Sequence, residues 1–174
     1  MPEIDIKGLS DKAPAFLERF SGEVLSVSDF RGDLEICVKK DRLKEMVGFL
    51  KEDSSLSFDI LMDLFGMDYS TFPIAQLERF AVVYNFYSVS RKKRLRLKVF
   101  VPEQAAELDS IHEIYKAANW YERETWDMFG IRFLGHPNLV RILCHGEFQG
   151  HPLRKDYPSD QYQKLKHAAH SNEI

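Results

Sequence analysis

The segment from Phe80 to Val101 constrains this chain's fold more than any other. Phe80 to Val89 is dense in Val, Tyr and Phe, and from Arg94 to Val101 apolar and polar side chains alternate almost without a break. Successive strand side chains point to opposite faces. Leu95, Leu97, Val99 and Val101 therefore share one face, and Arg94, Arg96, Lys98 and Phe100 share the other. Ser90-Arg91-Lys92-Lys93 suits a solvated turn between two strands, and Pro102, which cannot donate to a ladder, ends the second. A hairpin with one apolar face needs further elements to cover it.

Those elements are readable around it. Ser10-Asp11 can cap a helix reaching about Phe20, with Phe16, Leu17 and Phe20 on one face. Val24, Leu25 and Val27 read as a strand; after a turn at Phe30-Arg31-Gly32-Asp33, the alternation of Leu34, Ile36 and Val38 predicts a second, forming a hairpin. From Asp41 a helix places Leu43, Met46, Val47 and Leu50 at i, i+3, i+4 and i+7. Phe58 to Phe65 reads as a central strand ending at Gly66. Asp109-Ser110 begins a helix carrying Ile111, Ile114 and Tyr115, and Asn119 can recap another through about Met128. The pattern predicts an α+β domain over residues 1–129, an antiparallel or mixed sheet with helices on one face. Residues 130–158 hold four glycines and three prolines, a density that opposes a packed regular element. They predict an extended, turn-rich C-terminal arm lying over a partner's surface, followed by a polar, mobile tail over 159–174.

Composition narrows the function classes. A chain of 174 residues hides roughly 70% of its unfolded surface on folding, enough for a real core. Its net charge of −3 excludes a strongly basic nucleic-acid binder acting by bulk attraction. The charge is uneven: residues 1–90 carry 16 acids and 10 bases (−6), residues 91–174 carry 11 acids and 14 bases (+3). The two cysteines, Cys37 and Cys144, stand far apart, whereas an iron–sulfur cluster takes about four thiolates. The start, MPEIDIKGLS, carries acids and no apolar run, so no signal peptide is expected there, and no apolar run approaches the ~18 residues of a membrane span. Phosphate-binding, nucleophile-elbow and zinc-protease motifs are missing.

Four groups of residues could carry chemistry. Glu122, Glu124 and Asp127 could form an acid/base or metal-binding set, but Arg123 and Asp127 at i,i+4 read more simply as an ion pair. His136, His145 and His151 could bind a metal or shuttle protons, yet two of them sit in Gly-His-Pro turns, where an imidazole more often fixes a loop. The run Arg91-Lys92-Lys93-Arg94-Leu95-Arg96-Leu97-Lys98 could contact RNA or lipid phosphates; a solvated strand edge or an acidic protein partner explains it equally well. Leu153-Arg154-Lys155-Asp156-Tyr157-Pro158 reads as ion-pairing material for a partner or for a fold-back onto the domain. From its residues alone, this is a non-catalytic interaction protein.

Asn119-Trp120-Tyr121-Glu122-Arg123-Glu124, Trp126-Asp127-Met128-Phe129-Gly130-Ile131, Gly135-His136-Pro137, Arg141-Ile142-Leu143 and Gly150-His151-Pro152-Leu153-Arg154-Lys155-Asp156-Tyr157-Pro158 form one ordered string, preceded by Asp63-Leu64-Phe65-Gly66-Met67-Asp68-Tyr69. This string resembles the 30 kDa subunit family of respiratory complex I, which in bacteria supplies the C subunit of the proton-translocating NADH–quinone oxidoreductase. The resemblance runs from about Phe58 to Pro158. It implies a peripheral-arm scaffold without a cofactor of its own. FMN, the Fe-S clusters and quinone would then reside on neighbouring subunits. The implied partners are the 49 kDa-type and PSST-type polypeptides, on the cytoplasmic side of the bacterial inner membrane; no nucleic acid is expected. On this resemblance Glu122, Arg123, Glu124 and Asp127 lock the domain to the start of the arm, and His136, Arg141, His151, Arg154, Lys155, Asp156 and Tyr157 are interface candidates. Related subunits of membrane-bound nickel–iron hydrogenases and formate hydrogenlyases are one alternative, and an RNA-binding module using residues 91–98 is another.

Overall fold

The computed structural model describes residues 13–163. The expected cap at Ser10-Asp11 and the tail beyond 163 lie outside them. The order is α1 (Pro14–Arg19), β1 (Val24–Phe30), β2 (Asp33–Val38), α2 (Leu43–Glu52), β3 (Ile60–Asp68), β4 (Phe80–Ser88), β5 (Lys93–Val101), a 3-10 turn (Glu103–Ala105), β6 (Glu107–Asp109), α3 (Ala118–Phe129) and β7 (Arg132–Leu134). Five strands form one sheet in the order β1-β2-β5-β4-β3, and β6 and β7 pair separately. All neighbours in the large sheet are antiparallel except β2 and β5, so the sheet is mixed and the fold is α+β.

Alternation sets the register. Leu95, Leu97, Val99 and Val101 are buried, as are Leu34, Ile36 and Val38 on β2 and Phe80, Val82, Tyr84 and Phe86 on β4. They share one core with Phe16 and Phe20 of α1 and with Leu43, Met46, Val47 and Leu50 of α2. Both hairpins are present. Arg31 and Gly32 have φ of 55° and 94°, the positive pair a two-residue hairpin turn needs to match strand twist.

Two expectations are corrected. The strand expected at the centre, β3, is an edge: it bonds only β4. Its apolar character comes from α3, which packs along it. A Cβ on Gly66 would lie 2.6 Å from Phe129 Cδ2, so this glycine sets how closely helix and strand approach. The helix expected from Asp109-Ser110 is a single turn, in which Ile114 N–H and Tyr115 N–H both donate to Ile111 O, each at 3.0 Å. Asp109 belongs to β6 instead, pairing with Leu134. Residues 130–158 fold back over α3 and the β3–β4 end of the sheet through the contacts described next.

Candidate functional site

The site is built around the last turn of α3. A helix leaves its final carbonyls without intrahelical partners. Here Gly130 takes the left-handed conformation (φ 76°) and donates to Trp126 O at 2.8 Å, closing the helix. The next three carbonyls are served by the returning segment. His151 Nδ1–H donates to Asp127 O (3.0 Å), Leu153 N–H to Met128 O (3.1 Å) and Arg154 Nε–H to Phe129 O (2.6 Å). The Arg154 guanidinium also places positive charge at the negative end of the helix dipole. A Cβ at Gly130 would meet Arg154 Nη2 at 2.5 Å and His151 at 2.7 Å, so a side chain there, already strained at φ 76°, would have to displace both.

The Asp127 carboxylate, fully shielded from solvent, gathers the preceding part of the arm. It accepts backbone N–H bonds from Ile142 (3.0 Å), Leu143 (2.9 Å) and Cys144 (2.9 Å), and a charge-assisted bond from Arg141 Nη1 (2.5 Å). Burial alone would raise its pKa, but these donors outweigh it and hold the carboxyl below its ordinary value. The expected Arg123–Asp127 ion pair is not formed. Arg123 lies over the Trp120 ring (5.0 Å) and donates to the carbonyls of Val140 and Arg141, both at 3.1 Å. The i,i+4 spacing was satisfied, yet three backbone donors and a second arginine occupy the carboxylate. Glu124 is exposed.

Glu122 faces the interior. Its carboxylate accepts from Ser110 Oγ–H and from Ile111 N–H (2.8 Å), which anchors the start of the single turn. Burial pushes its pKa up to about 7, against the opposing pull of those two bonds. His136 Nε2–H donates to Asn119 O (3.1 Å) and its Nδ1 accepts from Asn138 N–H (3.1 Å). Both nitrogens are thus committed as in a neutral ring, and burial depresses its pKa.

A third knot ties the end of the arm to the sheet. Asp68 at the end of β3 accepts from Arg79 (3.0 and 3.2 Å) and from Lys155 N–H (2.9 Å), and Arg79 also pairs with Asp156 (2.8 Å). Burial opposes the Asp68 charge, but Arg79 and the backbone donors hold its carboxyl far below the usual range. The Tyr157 ring stacks on Phe148 (5.8 Å), and its hydroxyl accepts from Gln163 (2.7 Å). The structure therefore brings Arg123, Asp127, His136, Arg141, His151 and Arg154 into one wiring of α3 to the arm, ties Lys155 and Asp156 to Asp68 and Arg79 at the β3–β4 end of the sheet, and ties Glu122 to Ser110 and Ile111. Sequence reasoning missed Ser110, Asp68, Arg79 and Gly130 as parts of it. The one available signal was the position of Asp68 and Arg79 at the facing ends of two paired strands. Among the described residues no cluster of His, Cys, Asp and Glu could hold a metal ion, and no helix is long and apolar enough to cross a membrane.

These contacts define an α+β domain whose C-terminal segment is stitched to its last helix through that helix's final backbone carbonyls. The chain belongs to the respiratory-chain NADH dehydrogenase 30 kDa subunit family, whose model matches residues 36–163. It is 45% identical over 141 residues to the C subunit of the NADH-quinone oxidoreductase of Geobacter metallireducens, covering 81% of this chain and 84% of that one. The corresponding Rhodobacter capsulatus protein is 41% identical over 159 residues, 91% of this chain and 77% of that one. The trypsin-resistant 1–134 fragment of Nqo5 superposes with a TM-score of 0.64 at 33% identity, over 77% of this chain and 98% of the fragment. A chain of an archaeal membrane-bound sulfane sulfur reductase shares the fold, with a TM-score of 0.71 at 23% identity over 92% and 97%.

Proposed function

We propose that this chain is the non-catalytic 30 kDa-type scaffold of a proton-translocating NADH–quinone oxidoreductase. It supports electron transfer from NADH to quinone while FMN and the Fe-S clusters sit on other subunits. One observation carries the reading: Arg123, Asp127, His136, Arg141, His151 and Arg154 are spent on backbone carbonyls, backbone amides and one another, while His145 packs edge-on against Phe148 with both ring nitrogens buried and unpartnered among the described residues. These side chains do not converge on an open pocket; residues 118–129 and 135–158 line none of five surface cavities of about 180–380 Å³. Catalytic groups face substrate, whereas these groups hold a shape. The two cysteines are separate, Cys37 buried and Cys144 half-buried with its thiol pKa raised by burial beside Asp127, which suits a chain that relays no electrons.

On this reading the outer surface of the arm, including exposed Leu143 and Leu153, meets the 49 kDa-type and PSST-type subunits at the cytoplasmic side of the inner membrane. Glu124, Lys155 and Asp156 are exposed, and Tyr157 is half-buried against Phe148. Affinity purification from detergent-solubilised membranes, followed by mass spectrometry, tests the assignment. The 49 kDa-type and PSST-type subunits are expected with the chain. A nickel-ligating hydrogenase large subunit in their place overturns it.

A further inference from the structure

Among the described residues, the sheet face opposite the helices is covered at one end. The β3–β4 connection lies over it where the Tyr69 ring meets Phe100 (5.9 Å) and the Lys98 ammonium sits 4.9 and 4.8 Å from those two rings. At the other end Arg94 stands in register with Tyr87 of β4, and Arg96 with Asn85 of β4 and Glu35 of β2. Two adjacent cavities of about 270 Å³ open there. One is lined by Tyr87, Lys92 and Lys93 and the other by Met62, Asp63 and Arg96; Asp33 and Arg94 line both.

The cations of this strand divide into two sets. Arg91 donates to Ser54 O (2.8 Å), Arg96 pairs with Glu35 (3.3 Å), and Lys98 is held over its rings. Lys92, Lys93 and Arg94 are exposed, and no side-chain hydrogen bond or ion pair joins them to another described residue. Among the described residues these three cations have no paired acid, only Asp33 and Asp63 lining the same cavities, and an anionic partner relieves their mutual repulsion.

We propose that this end of the sheet is a docking surface for an acidic polypeptide segment of another subunit, seated with a carboxylate at Arg94 and an apolar side chain against exposed Met62. The inference rests on the reading of the chain as a subunit of an assembly. Two features select polypeptide over nucleic acid. Asp33 lines both cavities and Asp63 one of them, so a continuous phosphate backbone meets carboxylates along its path, while a peptide presents its charges at intervals. The rings nearest the cations are not free for base stacking: Tyr87 is half-buried, and Tyr69 and Phe100 lie under Lys98.

A photo-crosslinking residue placed by Lys93→p-benzoylphenylalanine in the assembled complex tests this directly. The expected adduct is a peptide of a partner with at least about two acidic residues close together. A lipid or RNA adduct, a peptide without acids, or no adduct overturns the proposal. The double variant Lys93→Glu/Arg94→Glu is expected to lower retention of the cross-linked partner about tenfold near physiological salt, with the folded circular-dichroism spectrum unchanged. Unchanged retention also overturns it. If the purification recovers the partner subunits while Lys93 yields no adduct, the docking surface falls and the subunit assignment stands.

Discussion

His136 Nε2 stands 4.0 Å from the Glu122 carboxylate, and neither side chain reaches solvent. The imidazole is committed in its neutral form to Asn119 O and Asn138 N–H, so the carboxyl is left to titrate without a fixed counter-charge. A raised acid pKa means that the folded state holds the proton more tightly than the unfolded state does. Glu122 therefore contributes stability that is fully present below its ordinary value of 4.5 and is lost as pH rises through about 7. The depressed pKa values of His136 and His151 act oppositely, withdrawing stability as pH falls, so a raw pH profile mixes the effects. The difference between wild type and Glu122→Gln isolates the carboxyl. It is expected to change by on the order of 3 kcal/mol between pH 5 and pH 8, with the wild type the relatively weaker protein at pH 8. Urea unfolding at a series of pH values checks it; parallel profiles would show that Glu122 is ionised throughout.

Asp127 has the opposite sign. Its carboxyl is held low by four donors, so its contribution is present above the ordinary carboxyl value and disappears in acid. Asp127→Ala strands three backbone N–H groups and the Arg141 guanidinium, at a cost of about 3 kcal/mol. Amide exchange at Ile142, Leu143 and Cys144 is expected to accelerate together, because all three bond the same oxygen.

These two carboxylates also mark where sequence reading stops. Strands β4 and β5 were legible because period two is written locally, and α2 because Leu43, Met46, Val47 and Leu50 repeat with the helix. The parallel β2–β5 pairing leaves no such trace, since sheet order depends on contacts across some sixty residues. The helix expected after Asp109 carries a reasonable apolar pattern, but Glu122 captures Ser110 Oγ–H and Ile111 N–H from outside the segment and pins a single turn. Likewise, the i,i+4 spacing of Arg123 and Asp127 states only a possibility. The groups that occupy Asp127 come from residues 141–144, and their approach is a property of the folded arm.

The Gly66–Phe129 contact is a steric prediction. Phe129 is nearly buried, so its ring cannot swing aside freely, and a Cβ at 2.6 Å must push α3 away from β3. Gly66→Ala is expected to cost about 1–3 kcal/mol. In a Phe129→Leu background, where the ring is gone, the same substitution is expected to cost measurably less. A double-mutant cycle by thermal or urea unfolding reads that coupling, and strict additivity would show that the two residues act independently.

Arg154 separates a structural role from a chemical one. Its Nε–H bonds the last carbonyl of α3, its charge opposes the negative end of the helix dipole, and its guanidinium lies 5.1 Å from the Phe80 ring. Removing these contacts with Arg154→Ala is expected to cost about 1–2 kcal/mol and to speed amide exchange at Leu153 and Lys155, which bond Met128 O and Asp68. Arg154→Glu places a negative charge against unpaired carbonyls and is expected to lower stability further, with part of the loss screened by salt. Because the arm is the surface proposed to meet the partner subunits, both variants are expected to reduce the amount of assembled complex in proportion to the exchange they permit. Turnover per assembled complex is expected to stay near the wild-type value. Normal assembly with lost turnover would instead place Arg154 in the chemistry, a result that the bond to Phe129 O gives no means to explain.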